Sequence, residues 1–240
     1  MMKQMIFTVL LTTFMEANSY TAQVEPYEKV LVLSEINGLV TKVKREAEYG
    51  FLGQRKSLVQ VEKRVEAIEV KGLKSSLKFS KRAYSLKADN FSRKNKVRQI
   101  SQYEKDLEKS SLYEIQSQME ELQKNIDLLE YRIDKKTFFL EQKYVGKIYV
   151  REGDYVDVGS KIMDSYDVSK EKIELYVRAK EIEGIQSKSI FINGKKSEYT
   201  IEKVSQVRDG VNLSSFLVRI VKKNFKPKRY FGTVVKVEFR

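Results

Sequence analysis

Residues 112–133 read LYEIQSQMEELQKNIDLLEYRI. Within them Leu112, Ile115, Met119, Leu122, Ile126, Leu129 and Ile133 recur at steps of 3, 4, 3, 4, 3 and 4. Only a helix brings residues so spaced onto one face. Charged and amide side chains flank the stripe, which makes it narrow. A narrow seam suits one partner helix better than a broad globular core. The same texture extends over Glu48 to Gln142, about 95 residues without proline and, after Gly53, with Gly72 as the sole glycine. Leu58, Val61, Val65 and Ile68 repeat the 3, 4, 3 spacing, and Leu73, Leu77 and Tyr84 continue it. Between Leu107 and Ile115 the steps run 4 and 4 through Ser111, a stutter that locally unwinds a supercoil.

The partner expected for the 112–133 seam is the first half of the same stretch. A turn signal lies near the middle, at Lys87-Ala88-Asp89-Asn90-Phe91-Ser92. Asp and Asn favour turns, and Ser92 suits the cap of a returning helix. This reading places helix one at about 48–88, helix two at about 92–140 and the tip near 87–93, an arm of roughly 65–70 Å. A single long helix that dimerises is the alternative from periodicity alone.

The flanking residues favour the hairpin. From Tyr27 to Arg45 the pattern turns to strands, with Val30-Leu31-Val32-Leu33 and then Gly38-Leu39-Val40-Thr41-Lys42-Val43. Beyond the arm, Gly146-Lys147-Ile148-Tyr149-Val150-Arg151-Glu152-Gly153-Asp154-Tyr155-Val156 gives two short strands joined by a Gly-Asp turn. A second turn at Gly159 opens a third strand through Ile162. Two β fragments separated by a long helical excursion reunite only if the excursion returns to its origin. The tail repeats short strands: Ile173–Val177, Ser189–Ile192 before an Asn193-Gly194 turn, Tyr199–Val204, Phe216–Val221 and Thr233–Phe239. Five such strands suggest a small β-barrel.

The first residues, 1–22, read as an export signal: Lys3, an apolar run from Ile6 to Met15, then Ala17-Asn18-Ser19 as small residues for cleavage. That run is too short to span a bilayer, which needs about 20 residues. The chain has no cysteine and no histidine. Disulfide frameworks, Cys/His metal sites, thiol nucleophiles and imidazole acid–base chemistry are therefore excluded. No catalytic motif is formed by the remaining Ser, Lys, Asp and Glu. The chain is read as no enzyme, with no cofactor. Its formal net charge of +13 attracts anions.

The order of elements resembles that of periplasmic adaptor proteins, the HlyD-like membrane fusion proteins of tripartite efflux pumps and type I secretion systems. Gly146, Gly153, Asp154 and Gly159 match the family's second half-motif closely. Gly38, Val40, Val43 and Gly53-Gln54 fit the first, although Ala47-Glu48 stands where a Gly-Asp turn is expected, with one residue fewer. The resemblance implies an α+β chain in which a lipoyl-like β-domain is split by a long antiparallel α-helical coiled-coil hairpin and followed by a small β-barrel. The divisions would be a signal peptide at 1–22, a first lipoyl-like half at 23–47, the hairpin at 48–142, a second half at 143–165 and the barrel at 166–240. A lipoyl carrier needs an acceptor lysine on the hairpin joining its half-motifs. Here the arm occupies that join, and Lys56, Lys147 and Lys161 are misplaced for the role.

What the resemblance implies about function is a non-catalytic subunit, periplasmic and held to the inner membrane through partners. Those partners would be an inner-membrane transporter of RND or ABC type and an outer-membrane channel of TolC type. Copies would form a self-assembling ring. In channel-docking members the hairpin end carries an Arg, a Leu four residues on and a hydrophobic-Ser pair. Arg82, Leu86 and Phe91-Ser92 stand in that order. The distal arm is strongly basic, with Lys87, Arg93, Lys94, Lys96 and Arg98 following Lys71, Lys74, Lys78, Lys81 and Arg82, and Asp89 the sole acid among them. A solvated helix face is the plain reading of such a run, and an acidic partner the functional one. The alternative function is a basic coiled-coil protein that binds nucleic acid or an anionic membrane. The export signal and the lack of a nucleic-acid motif oppose nucleic acid as partner.

Overall fold

The computed structural model describes residues 19–96, 101–208, 214–223 and 230–240. Its first elements are β1 (Ser19–Gln23), β2 (Glu25–Leu33), β3 (Gly38–Val43), β4 (Phe51–Leu52), β5 (Lys56–Val61), α1 (Arg64–Asn95) and α2 (Gln102–Lys135). There follow β6 (Thr137–Leu140), β7 (Lys143–Ile148), β8 (Tyr155–Val156), β9 (Lys161–Arg178), α3 (Ala179–Ile182), β10 (Ile190–Ile192) and β11 (Lys195–Lys196). The last are β12 (Thr200–Arg208), β13 (Ser215–Lys223) and β14 (Val234–Phe239). The chain is α+β and divides into two units, residues 30–165 and residues 1–29 with 166–240.

In the 30–165 unit the strands before and after the arm form one structure. The order β6-β5-β3-β8 makes a four-stranded sheet, with β3 antiparallel to both β5 and β8. Strand β4 pairs with β7 across the arm's root. Val40, Leu58, Val59 and Val61 from before the arm share a core with Val145, Ile148, Val156, Ile162 and Met163 from after it. Backbone bonds close the join: Val40 N–H donates to Asp154 O at 2.8 Å, and Gly153 N–H donates to Val40 O at 2.9 Å. Glycine is required at position 38. Its φ is +149°, and an added Cβ would lie 2.6 Å from Val61 Cγ1. Gly153 and Gly159 also hold positive φ, in the turns before and after β8. Gly146 is buried within β7.

Helices α1 and α2 are antiparallel partners. Val70, Leu77, Ile126 and Leu129 are buried between them, with Leu73, Met119, Leu122 and Ile133 packed alongside. The arm is shorter than 48–142. Residues 48–63 form the turn after β3, then β4 and β5, and Leu58 and Val61 lie in the sheet core rather than in a seam. Val65 and Ile68 are 72% and 73% exposed. Their 3, 4, 3 spacing with Leu58 and Val61 joins a strand to the wrong face of a helix. The true α1 seam begins at Val70, and each helix is about 50 Å long at 1.5 Å per residue.

The turn also moves. Residues 87–93 are helical, and α1 runs on to Asn95. Ala88 and Phe91 continue the half-buried face, while Asp89 and Asn90 are exposed. Turn propensities of a few tenths of a kcal/mol per residue do not overcome a continuing seam. Helix α2 starts at a capping box: Ser101 Oγ accepts from Glu104 N–H, and the Glu104 carboxylate accepts from Ser101 N–H. Helix α1 therefore ends at Asn95 and α2 begins at Gln102, both beyond the expected 87–93.

In the other unit, β1-β14-β10-β11 form one sheet and β12 and β13 pair onto the later part of β9. Val24, Ile173, Leu175, Val177, Val218, Ile220, Val235 and Val237 are core residues. The expected boundary at 166 omits β1, which pairs along β14 from Ser19 opposite Glu238 to Gln23 opposite Val234. A signal ending at 22, as expected, would remove that strand. The rest of the expected signal, residues 1–18, falls outside the described residues.

Candidate functional site

The arm carries the candidate surface, and its root is fixed by charge. Glu62 accepts from the N–H groups of Lys63 and Arg64 at 2.9 and 2.8 Å, and its carboxylate meets the Arg64 guanidinium at 3.0 Å. The Arg64 side-chain and backbone bonds, with that of Lys63, hold Glu62 down at about 2. This acid stands before a helix whose Lys63 cap residue offers no side-chain bond, so it takes over the unpaired N–H groups. Across the root, Lys136 is buried and pairs with Glu66. Burial pushes the Glu66 carboxyl up, but the Lys136 ammonium and the backbone N–H outweigh it and leave the group below its ordinary value.

Further out, Lys74 bridges to Glu130 at 2.5 Å, Lys94 pairs with Glu108, and Lys87 donates to Ser111. These contacts determine which α1 residue lies level with which α2 residue. A groove of about 430 Å³ runs along α1, lined by Lys74, Leu77, Lys78, Lys81, Arg82 and Ser85. The helices differ in charge: α1 carries this cationic row, while α2 carries Glu114, Glu120, Glu121, Asp127 and Glu130.

The expected docking quartet does not gather at the tip. Arg82 and Leu86 are exposed on the body of α1, with Arg82 about 20 Å short of the helix end at 1.5 Å per residue. Phe91 is half-buried toward α2 and Ser92 is exposed, neither serving as a cap. At the true end stand Arg93, Lys94 and Lys96 on one side and the Ser101–Glu104 box on the other. Arg98 lies outside the described residues. The signal that locates the turn was in the sequence: Ser-x-x-Glu before a helical run is a helix-start signature, and Ser101–Glu104 has that form. Among the described residues no cluster of carboxylates could hold a metal ion, and no helix is long and apolar enough to cross a membrane.

No family model and no curated protein matches the sequence. Solved structures do match. The membrane fusion protein Spr0693 from Streptococcus pneumoniae R6 is 9% identical with a TM-score of 0.69, over 93% of this chain and 99% of that one. A MacA-MexA chimera containing the Pseudomonas aeruginosa MexA α-hairpin domain is 12% identical with a TM-score of 0.65, over 92% and 80%. MacA from Actinobacillus actinomycetemcomitans is 18% identical with a TM-score of 0.55, over 93% and 78%. This chain has the fold of the membrane fusion proteins: α+β, with a long helical hairpin set in β-rich units.

Proposed function

We propose that the chain is a non-catalytic periplasmic adaptor that links an inner-membrane transporter, of RND or ABC type, to an outer-membrane channel of TolC type. One observation carries this reading. Val40 and Ile148, on opposite sides of the helical excursion in sequence, lie in a single β core. The excursion is then a tethered arm suited to reaching a second protein. In this reading the β core is a lipoyl-like domain split by the arm, and the 166–240 strands with β1 are a β-barrel. Copies pack head to tail into a ring held to the inner membrane through the transporter. The arm's end, with Arg93, Lys94 and Lys96 beside the capped start of α2, meets the channel. Arginine there has donors for carboxylates and exposed helix carbonyls. The names of the matching structures, among them an efflux transporter of Bacteroides eggerthii, support this reading. Affinity capture of the tagged chain from crosslinked membranes tests it. The expected result is co-purification of one transporter and one channel; capture of neither overturns the reading.

A further inference from the structure

The cations of α1 divide into two sets by flank. Lys87 and Lys94 stand on one side and meet α2 at Ser111 and Glu108. On the other side Lys71, Lys74, Lys78, Lys81 and Arg82 follow at steps of 3, 4, 3 and 1, all exposed beside the buried Val70 and Leu77. Lys74 reaches Glu130. Among the described residues Lys71, Lys78, Lys81 and Arg82 make no ion pair. Glu120 and Asp127 lie on the α2 flank that carries Glu130, but they accept from the Gln116 and Gln123 amides at 3.2 and 2.8 Å.

Such a row works against its own helix. Lys71 and Lys74, Lys74 and Lys78, Lys78 and Lys81, and Lys78 and Arg82 are like charges three or four residues apart, a spacing at which they repel. The one acid of residues 71–98, Asp89, lies seven residues beyond Arg82. Ser75 and Ser85 beside the row have short side chains, which leaves the cation stems uncovered. The groove along α1 runs past Lys74, Lys78, Lys81 and Arg82 over Leu77. An anion held there would relieve a repulsion that the chain itself leaves in place.

The geometry selects the kind of anion. From Lys71 to Lys81 successive cations rise about 4.5–6 Å along the axis, and the row to Arg82 is about 16 Å long. A single phosphate touches one or two of these groups, whereas a chain of phosphates meets them all. A flat anionic membrane would also press on Glu120 and Asp127, which a thin strand clears. Single-stranded nucleic acid is held by base stacking as well as charge. Near the row Phe79 is exposed and Tyr84 half-buried, too few to stack successive bases. Four of the five cations are lysines, point charges that hold phosphate without a fixed fork. We propose that the Lys71–Arg82 row of α1 binds a linear, base-free phosphate polyanion. Such binding requires neither a transporter nor a channel.

Calorimetric titration of the full chain with short-chain inorganic polyphosphate tests this, with orthophosphate, phosphatidylglycerol vesicles, poly-glutamate and single-stranded DNA as comparisons. Polyphosphate is expected to bind most tightly, with log K falling linearly in log salt. Lys78→Gln/Lys81→Gln/Arg82→Gln is expected to weaken binding roughly tenfold and to lower the salt slope by about one for each cation removed. Lys161→Gln/Lys195→Gln/Lys196→Gln removes the same charge from exposed sites off the arm and is expected to leave the slope unchanged. Because the row repels itself, the arm variant is expected to keep its helical circular dichroism and to melt no lower than the parent. Polyphosphate should raise the melting point of the parent and not that of the arm variant. An equal loss in both triple variants assigns the attraction to net charge and overturns the row. Binding of orthophosphate, vesicles, poly-glutamate or DNA as tight as that of polyphosphate overturns the choice of ligand.

Discussion

Gly38 shows how closely the two halves of the β core approach. Its φ of +149° disfavours any side chain, and the space where a Cβ would sit is taken by Val61 Cγ1 at 2.6 Å. Gly38→Ala is expected to cost about 1–3 kcal/mol, read as a lower urea midpoint with unchanged slope. Glu62 gives a prediction with a sign. Its folded value of about 2 lies below the ordinary 4.5, so its contribution is fully present above about 4.5 and is lost as pH falls toward about 2. Amide protection at Arg64 to Ala67, taken relative to the intrinsic exchange rate at each pH, is expected to fall over that window, and Glu62→Gln to remove that fall. Protection that stays constant across the window in the parent chain would refute the capping role. Neither feature was readable in advance: Gly38 was visible as a turn residue, but its contact with Val61 depends on the β3–β5 register.

At the scale of elements, the α2 seam was legible because heptad spacing sustained over 112–133 leaves no other way to collect those residues. The α1 seam was half legible. Leu73 and Leu77 were read correctly, whereas Leu58 and Val61 belong to β5 because a short strand beside a helix can continue its apolar spacing by chance. The turn was misplaced because Asp89 and Asn90 were read as turn residues, whereas packing carries α1 on to Asn95 and the Ser101–Glu104 box starts α2. Ile126, 1% exposed, is the seam's most buried member. Ile126→Asp buries an unpaired charge and is expected to cost on the order of 4 kcal/mol. Circular dichroism should lose helical signal at lower temperature, while the amides of Val40 and Ile148 stay protected. Unchanged helicity and melting would contradict the paired-helix arm.

At the scale of the whole molecule, the interrupted β core was legible from Gly146, Gly153, Asp154 and Gly159, whose spacing marks turns at a short range. The 166–240 strands were legible as strands but not in their partners. Strand β1 pairs with β14 at the far end of the sequence, and no local pattern reports a pairing so distant. The Arg82-Leu86 pair illustrates the same limit: both residues are exposed on the body of α1, and their distance from the arm's end depends on where the helix stops.

The central claim is that the helical excursion doubles back, so that the strands before and after it form one core within one molecule. Leu39 and Tyr155 are facing partners across β3 and β8, and both side chains are exposed. Spin labels on Leu39→Cys/Tyr155→Cys, diluted with unlabelled chain to isolate intramolecular pairs, measure the join directly. The account predicts a separation at the short limit of the method, since facing strand residues place their Cβ atoms about 4.5–5.5 Å apart. A separation of tens of ångströms within one molecule would contradict it.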